Sequence, residues 1–258
     1  MKTLEESVLT TLDVEDKELF PYLPYILQDI WELGTLPEVI IRLLEGHPRL
    51  QNGFSVVDLG CGKGAVSVQV AARFGCRCHG IDAIPEFIAE ARQKAVEYRA
   101  DHLCTFETGD IRLRIRNLPP ADVIILGALG PVFGDYTATL AALQGCLTES
   151  GIILIDDGYI DDHSDFSHPG ILKRSDMLGQ ITSSGFRILE EEIISDKDLK
   201  TMNAGIFSKL EKRCLELAGR YPGRETLFTD YIRKQAEENE VFGSRIICST
   251  MKLGKIGS

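Results

Sequence analysis

From about residue 54 onward, short apolar and β-branched runs alternate with stretches whose apolar positions recur at helical spacing, the signature of a parallel sheet with crossover helices. Residues 54–59 (FSVVDL) predict a buried strand running into glycines, and residues 65–74 the helix behind it. A second strand is expected over 76–81, then a helix from Pro85 to about residue 100, proline being suited to a first helical turn. Strands follow at 103–107 and 121–126; the apolar run of the latter (ADVIIL) belongs at a sheet centre. A helix is expected over 136–147, a turn at Gly151, a fifth strand over 151–156 (GIILID), a helix over 171–183 and a sixth strand over 186–194. From 196 to about 240 the pattern is polar and helical, and a last strand returns at 245–253. The first 50 residues carry Phe20, Tyr22, Tyr25 and Trp31 and a helix through 40–44. The expected organisation is a helical N-terminal cap over 1–50 and a main α/β domain over 51–258, with a helical insertion at about 196–240.

Composition narrows the function classes. With 44% hydrophobic and 26% charged residues the 258-residue chain is expected to be globular. A net charge of −11 repels a polyphosphate backbone unless basic residues gather locally. The richest basic stretch, Arg112, Arg114 and Arg116, alternates at period two and reads as the solvated side of an extended segment. No nucleic-acid partner is expected. The seven cysteines contain no CxxC pair and predict no disulfide framework. The start, MKTLEESVLTTLDVEDKELF, is acidic and lacks a secretory apolar run, and no later stretch has the length of a membrane span. The expected location is cytoplasmic, away from membranes.

The first strand runs directly into Gly60, Cys61, Gly62, Lys63 and Gly64, with a helix starting immediately afterwards. Such a loop turns tightly and lets a ligand approach backbone that a Cβ would screen. Asp82 closes the second strand, where a carboxylate can accept hydrogen bonds from two ribose hydroxyls. A nicotinamide-binding domain would place a third glycine at the position of Ala65.

The sequence DLGCGKG, with Asp58 two positions before the first glycine, resembles the first motif of class I S-adenosylmethionine-dependent methyltransferases. The resemblance continues through Gly109, Asp110 and Ile111 after the third strand and through the small residues Gly127, Ala128 and Gly130 after the fourth, covering about residues 54–157. It implies a Rossmann-like, seven-stranded, mostly parallel sheet whose last strand is antiparallel. It also implies S-adenosylmethionine as cofactor. Gly60, Cys61 and Gly62 would meet its methionine portion through the backbone, Asp82 and Ala83 its ribose region, Asp110 and Ile111 its adenine, and Gly127 would leave room beside the reactive methyl.

The stretch 156–168 (DDGYIDDHSDFSH) follows the fifth strand, at the strand ends where open α/β sheets bind ligands. Within it His163 is a candidate general base, Tyr159 a candidate for orienting an acceptor, and Asp156 or Asp157 a candidate for binding a cationic amine; the plainer alternative is a solvated acidic loop. No metal is expected, because the fourth strand ends in LGALGP without the acid a magnesium site would use. The cysteines other than Cys61 form no set that the sequence brings together. Similar enzymes fold helical segments over the cofactor as a lid. Here Tyr25 and Trp31, and Phe207, Tyr221, Phe228 and Tyr231, would pack on an acceptor or on the sheet, and a covered pocket favours a small molecule. The expected function is methyl transfer to nitrogen, oxygen or carbon of a small-molecule acceptor, with the oligomeric state unassigned. A non-catalytic protein that binds the same cofactor and an NAD-dependent oxidoreductase are the alternatives.

Overall fold

The apolar run Val56, Val57 and Leu59 makes β1 (Ser55–Leu59) a buried strand near the middle of a sheet in the computed structural model, which describes residues 2–47 and 53–257. The expected 50/51 boundary lies outside the described residues. Six more strands complete the sheet: β2 (Arg77–Asp82), β3 (Cys104–Thr108), β4 (Ala121–Gly127), β5 (Leu147–Tyr159), β6 (Phe186–Ile193) and β7 (Ile247–Lys255). Their spatial order is β3-β2-β1-β4-β5-β7-β6. β1 pairs parallel with both β2 and β4, β2 with β3, and β4 with β5, whereas β7 runs antiparallel to β6. This is the expected Rossmann-like, mostly parallel arrangement. The chain winds outward from β1 to β3 and then returns to β4, so the crevice for a ligand lies at the carboxyl ends of β1 and β4.

The crossover helices start and stop where local chemistry dictates. α1 (Leu4–Thr11) opens on a Thr3–Glu6 capping box, α2 (Leu23–Ile26) is a single turn, and α3 (Pro37–Leu44) buries Val39, Ile40, Leu43 and Leu44. α4 (Ala65–Phe74) lies between two left-handed glycines, Gly64 and Gly75. α5 (Pro85–Glu97) starts on proline, and the single turn α6 (Ile111–Arg114) starts on Asp110. α7 (Tyr136–Leu143) is capped by Asp135, and α8 (Arg174–Ser183) follows β5. α9 (Asp196–Arg220) and α10 (Glu225–Arg245) form the polar helical stretch.

Two compact units result. Met1–Trp31 and Ile194–Ile247 form the first, and Glu32–Ile193 with Cys248–Ser258 forms the second, which holds almost all of the sheet. In the first unit α9 packs along α10, Tyr22 meets Tyr221 and Phe228 edge-on, and the Tyr25 ring lies against the guanidinium groups of Arg213 and Arg220.

Three expectations change. Arg112, Arg114 and Arg116 do not line an extended segment: they belong to α6 and the 3-10 turn after it, because Asp110 caps a helical turn that overrides three residues of period-two pattern. β5 begins earlier and ends later than expected. A register shift against β4 near Ala121 accommodates its start, and its end carries Asp157 and Tyr159, beyond the expected last residue Asp156, in the strand rather than in a loop. Cysteines do gather: Cys78 pairs in register with Cys104, and its sulfur lies 3.8 Å from that of Cys76. These thiols stand at the amino ends of β2 and β3, the edge opposite the ligand crevice.

Candidate active site

The glycine loop is tied to the end of β2, since the amides of Gly60 and Cys61 both donate to the Ile81 carbonyl, at 2.8 and 3.1 Å. Gly60 has φ +71°, and a Cβ there would lie 2.2 Å from Leu129 Cδ2, so no other residue fits without displacing that leucine. Asp82 accepts the Gly62 amide on one carboxylate oxygen and the Ile84 amide on the other, both at 2.9 Å. Each oxygen keeps a further lone pair, the capacity that two ribose hydroxyls require. Burial raises its pKa against the pull of the Ile84, Gly62 and Ala83 amides, Ala83 being the half-buried residue between strand end and helix.

Asp58 lies beneath the loop, 3% exposed, where the Ser67 hydroxyl donates to it at 2.6 Å. Ser67 belongs to the first turn of α4, whose cap residue Gly64 offers no side chain. A protein carboxylate therefore occupies the helix N-terminus that dinucleotide-binding folds keep for pyrophosphate. Burial pushes the Asp58 pKa up to about 6, the Ser67 hydroxyl holds it down, and the nearby Asp82 charge adds to the rise.

Cys61 turns its buried thiol inward, where a Cβ on Gly80 would meet it at 2.8 Å, leaving its backbone toward the crevice. Burial and the charges of Asp58 and Asp82 push that thiol well up. Lys63 is 1% exposed and turns away, its Nζ 2.8 Å from Glu90 on α5 and over the Phe87 ring at 5.6 Å. The loop thus presents two carboxylates while its lysine is committed to the scaffold.

The third strand's loop joins the same edge, where the Gly109 amide donates to the Asp82 carbonyl at 2.8 Å. Asp110 caps α6 by accepting the Arg112 amide, and the Arg112 guanidinium grips the carboxylate at 2.9 and 2.7 Å and holds its pKa low. An adenine amino group would share Asp110 with this arginine. Ile111 is buried beside it.

Residues 33–35, for which the sequence carries no signal, lie across these loops. Cβ atoms built on Gly62 and Gly34 would meet Leu33 and Ala128 at 3.1 Å, and one on Gly127 would lie 2.6 Å from the Thr35 hydroxyl. Gly127 stands opposite Asp156 in the parallel register of β4 and β5. Asp156 is 8% exposed, and the hydroxyls of Thr35 and Thr250 face it short of hydrogen-bonding geometry. Burial pushes its pKa up to about 7, opposed by the Thr35 hydroxyl, reinforced by the Asp157 charge and opposed again by Thr250. Asp157 accepts the Tyr136 hydroxyl at 2.9 Å and the Gly158 amide at 2.7 Å.

Of the other two candidates, Tyr159 departs from its expected place and His163 lies on the turn where it was expected. Tyr159 is 2% exposed inside β5 with the Arg174 guanidinium 5.6 Å over its ring, a packed position rather than one on a loop. His163 is exposed on the turn after β5, its backbone amide donating to Asp161. Among the described residues no group of three or more His, Cys, Asp or Glu side chains is arranged to hold a metal ion.

Residues 50–205 match the family model described as a methyltransferase domain. A carboxy-S-adenosyl-L-methionine synthase of Chromohalobacter salexigens is 31% identical over 131 residues, 48% of this chain and 46% of that protein. A ribosomal protein L11 methyltransferase of Exiguobacterium is 23% identical over 63% of this chain and 47% of its own, so the matches span about half the length of these curated relatives. Among solved structures, a SAM-dependent methyltransferase from Geobacter sulfurreducens in complex with S-adenosyl-L-homocysteine superposes with a TM-score of 0.76 at 19% identity, covering 91% of this chain and 98% of its own. A SAM-dependent methyltransferase from Thiobacillus denitrificans, also with S-adenosyl-L-homocysteine, gives 0.72 at 18% identity over 90% and 97%. At these identities the likeness is one of fold.

Proposed function

Because the chain belongs to the methyltransferase-domain family, we propose that it is an S-adenosylmethionine-dependent methyltransferase acting on a small-molecule acceptor. The observation that carries the reading is the charge of the glycine loop. Asp58 fills the helix N-terminus and Asp82 stands beside it, an arrangement that repels a pyrophosphate and suits a ligand carrying a sulfonium and an ammonium. That feature weighs against the NAD-dependent alternative.

When bound, the cofactor supplies a methyl group already activated on sulfur, so the protein has chiefly to align an acceptor and exclude water. In this reading the backbone of Gly60, Cys61 and Gly62 holds the methionine portion. The open lone pairs of Asp82 take the ribose hydroxyls, with Ala83 alongside. Ile111 packs against adenine while Asp110, steadied by Arg112, accepts from its amino group, and Gly127, whose missing Cβ makes room for the Thr35 hydroxyl, stands beside the methyl. The seven cysteines are all free thiols, which suits the reducing conditions of the cytoplasm.

Calorimetric titration with S-adenosylmethionine, S-adenosylhomocysteine and NADH in parallel tests the proposal. Micromolar binding of the first two without the third is expected, and binding of NADH alone overturns it. A protein that binds S-adenosylmethionine yet releases no S-adenosylhomocysteine with any acceptor would instead be the non-catalytic alternative.

A further inference from the structure

The geometry points to Asp156 as the residue that receives the acceptor: an amine enters as its ammonium, lodges between the Asp156 carboxylate and the Thr35 hydroxyl, and gives its proton to Asp156. This assignment rests on the methyltransferase reading and deepens it, naming the acceptor class and the base.

Place comes first. Asp156 pairs in register with Gly127, and the Ala128 amide donates to its carbonyl, so it stands at the carboxyl edge of the sheet beside the loop that leaves room for the transferred methyl. The side chain has a ligand's work still open to it. Thr35 is 6% exposed, and its hydroxyl, aimed at the same point above Gly127, makes no hydrogen bond among the described residues. Buried hydroxyls are nearly always bonded, because an unmade bond forfeits the desolvation of the group. A nitrogen carrying hydrogens would donate to both Thr35 and Asp156.

Charge selects the acceptor. Asp157 adjoins Asp156 from the opposite face of β5, and neither carboxylate forms an ion pair with a lysine, arginine or histidine among the described residues. The other groups facing them are the hydroxyls of Thr35 and Thr250, the Tyr136 phenol and the Cys248 thiol on β7. The Cys248 thiol is pushed up to about 12 by burial and by both carboxylates, so the negative field reaches β7 as well. A neutral alcohol would leave this field uncompensated, whereas an ammonium answers it.

The proton then has somewhere to go. An ammonium has no lone pair with which to attack, so one N–H proton must leave first. It passes to a carboxylate oxygen of Asp156, which frees the nitrogen lone pair and leaves a neutral carboxylic acid; the acid later releases that proton to water. Burial lifts the Asp156 carboxyl to about 7, which narrows its gap to an alkylammonium of about 10 and makes it a better proton acceptor than an exposed carboxylate.

Binding of ethyl-, propyl-, butyl- and hexylammonium chloride, and of the matching alcohols, is to be measured on the full chain saturated with S-adenosylhomocysteine. Ammonium binding should strengthen as pH rises from 6 to 8. Asp156→Asn should weaken it at least tenfold with S-adenosylhomocysteine affinity held, and Thr35→Val should weaken it severalfold. Equal binding of amines by wild type and Asp156→Asn, alcohols binding as well as amines, or no amine binding to protein that does take up S-adenosylhomocysteine would each overturn the assignment. So would an Asp156→Asn variant whose S-adenosylhomocysteine affinity falls in step, for the carboxylate would then serve the cofactor. Failure of wild type to bind S-adenosylhomocysteine would instead sink the function proposed above, so the two are separable.

Discussion

Replacing Asp156 by Asn should make the protein more stable at pH 8. In the folded chain this carboxyl titrates at about 7 against an ordinary 3.8, so over that window the native state holds a proton that the unfolded state has released. Stability therefore falls as pH rises from about 4 to 7 and stays depressed above. About three pH units at 1.36 kcal/mol each set an upper bound of about 4 kcal/mol on the loss. Water entering beside an 8% exposed group screens part of it, and we expect about 2 kcal/mol. Asparagine keeps the shape, can meet the Thr35 and Thr250 hydroxyls, and has no proton to lose. Its melting temperature should exceed that of wild type by roughly 4–8 °C at pH 8, with the gap shrinking by more than half at pH 5. Differential scanning calorimetry of the ligand-free protein at the two pH values is the assay. An Asn variant less stable than wild type at pH 8 would mean that the ionised carboxylate is already satisfied by the protein, and the case for an open ligand position beside Gly127 would fail.

Ser67→Ala strips the buried Asp58 carboxylate of its hydroxyl donor and should cost about 2 kcal/mol in urea unfolding; no loss would show that another group satisfies Asp58. Gly60→Ala meets Leu129 and a φ of +71°, so S-adenosylmethionine affinity should fall at least tenfold by calorimetry, and unchanged affinity would remove the loop from the binding site. Asp82→Ala should weaken the same binding by about 2 kcal/mol through lost ribose hydrogen bonds, with unchanged affinity counting against its role. The ion pair of Lys63 with Glu90 should respond asymmetrically to mutation. Glu90→Gln takes one carboxylate from an ammonium that is 1% exposed, whereas Lys63→Met leaves a carboxylate that is 31% exposed and should cost under about 1 kcal/mol, so the first should be the costlier; the reverse order in thermal unfolding would refute the buried-charge account.

How much of this was legible in the sequence follows from the range of each interaction. The central strands were plain because a strand covered on both faces must be apolar along its covered length, as 123–126 is, and the loops after them had to contain residues such as Gly60. Asp82 could be placed from its position at a strand end alone. The continuation of β5 past Asp156 was missed for the opposite reason: a polar pair such as Asp156 and Asp157 marks the start of a loop in most chains, and nothing local signals that Tyr136 and Thr35 arrive from distant segments to surround it. Thr35 sits in GTLPEV, which reads only as the approach to α3, and its meeting with Gly127 and Asp156 spans more than ninety residues. His163 stood out because histidine is the side chain most often used as a general base. A carboxylate whose pKa is raised by burial leaves no such mark in the sequence.

Net charge gave the same limited view. The value of −11 argued against nucleic acid as a global field, yet the charges that define a ligand here are four carboxylates on two adjoining loops and strand ends: Asp58 and Asp82 at the glycine loop, Asp156 and Asp157 at β5. The nearest lysine in sequence, Lys63, is turned away into α5, and Arg112 is committed to Asp110. Among the described residues no lysine or arginine forms an ion pair with these buried carboxylates, although the chain holds 28 of them. A stability optimum would pair or remove such groups. Their retention is understandable if the compensating charge arrives with ligands, a sulfonium and ammonium at the glycine loop and a protonated amine beside Gly127, and each of those ligands should then stabilise the protein more at pH 8 than at pH 5.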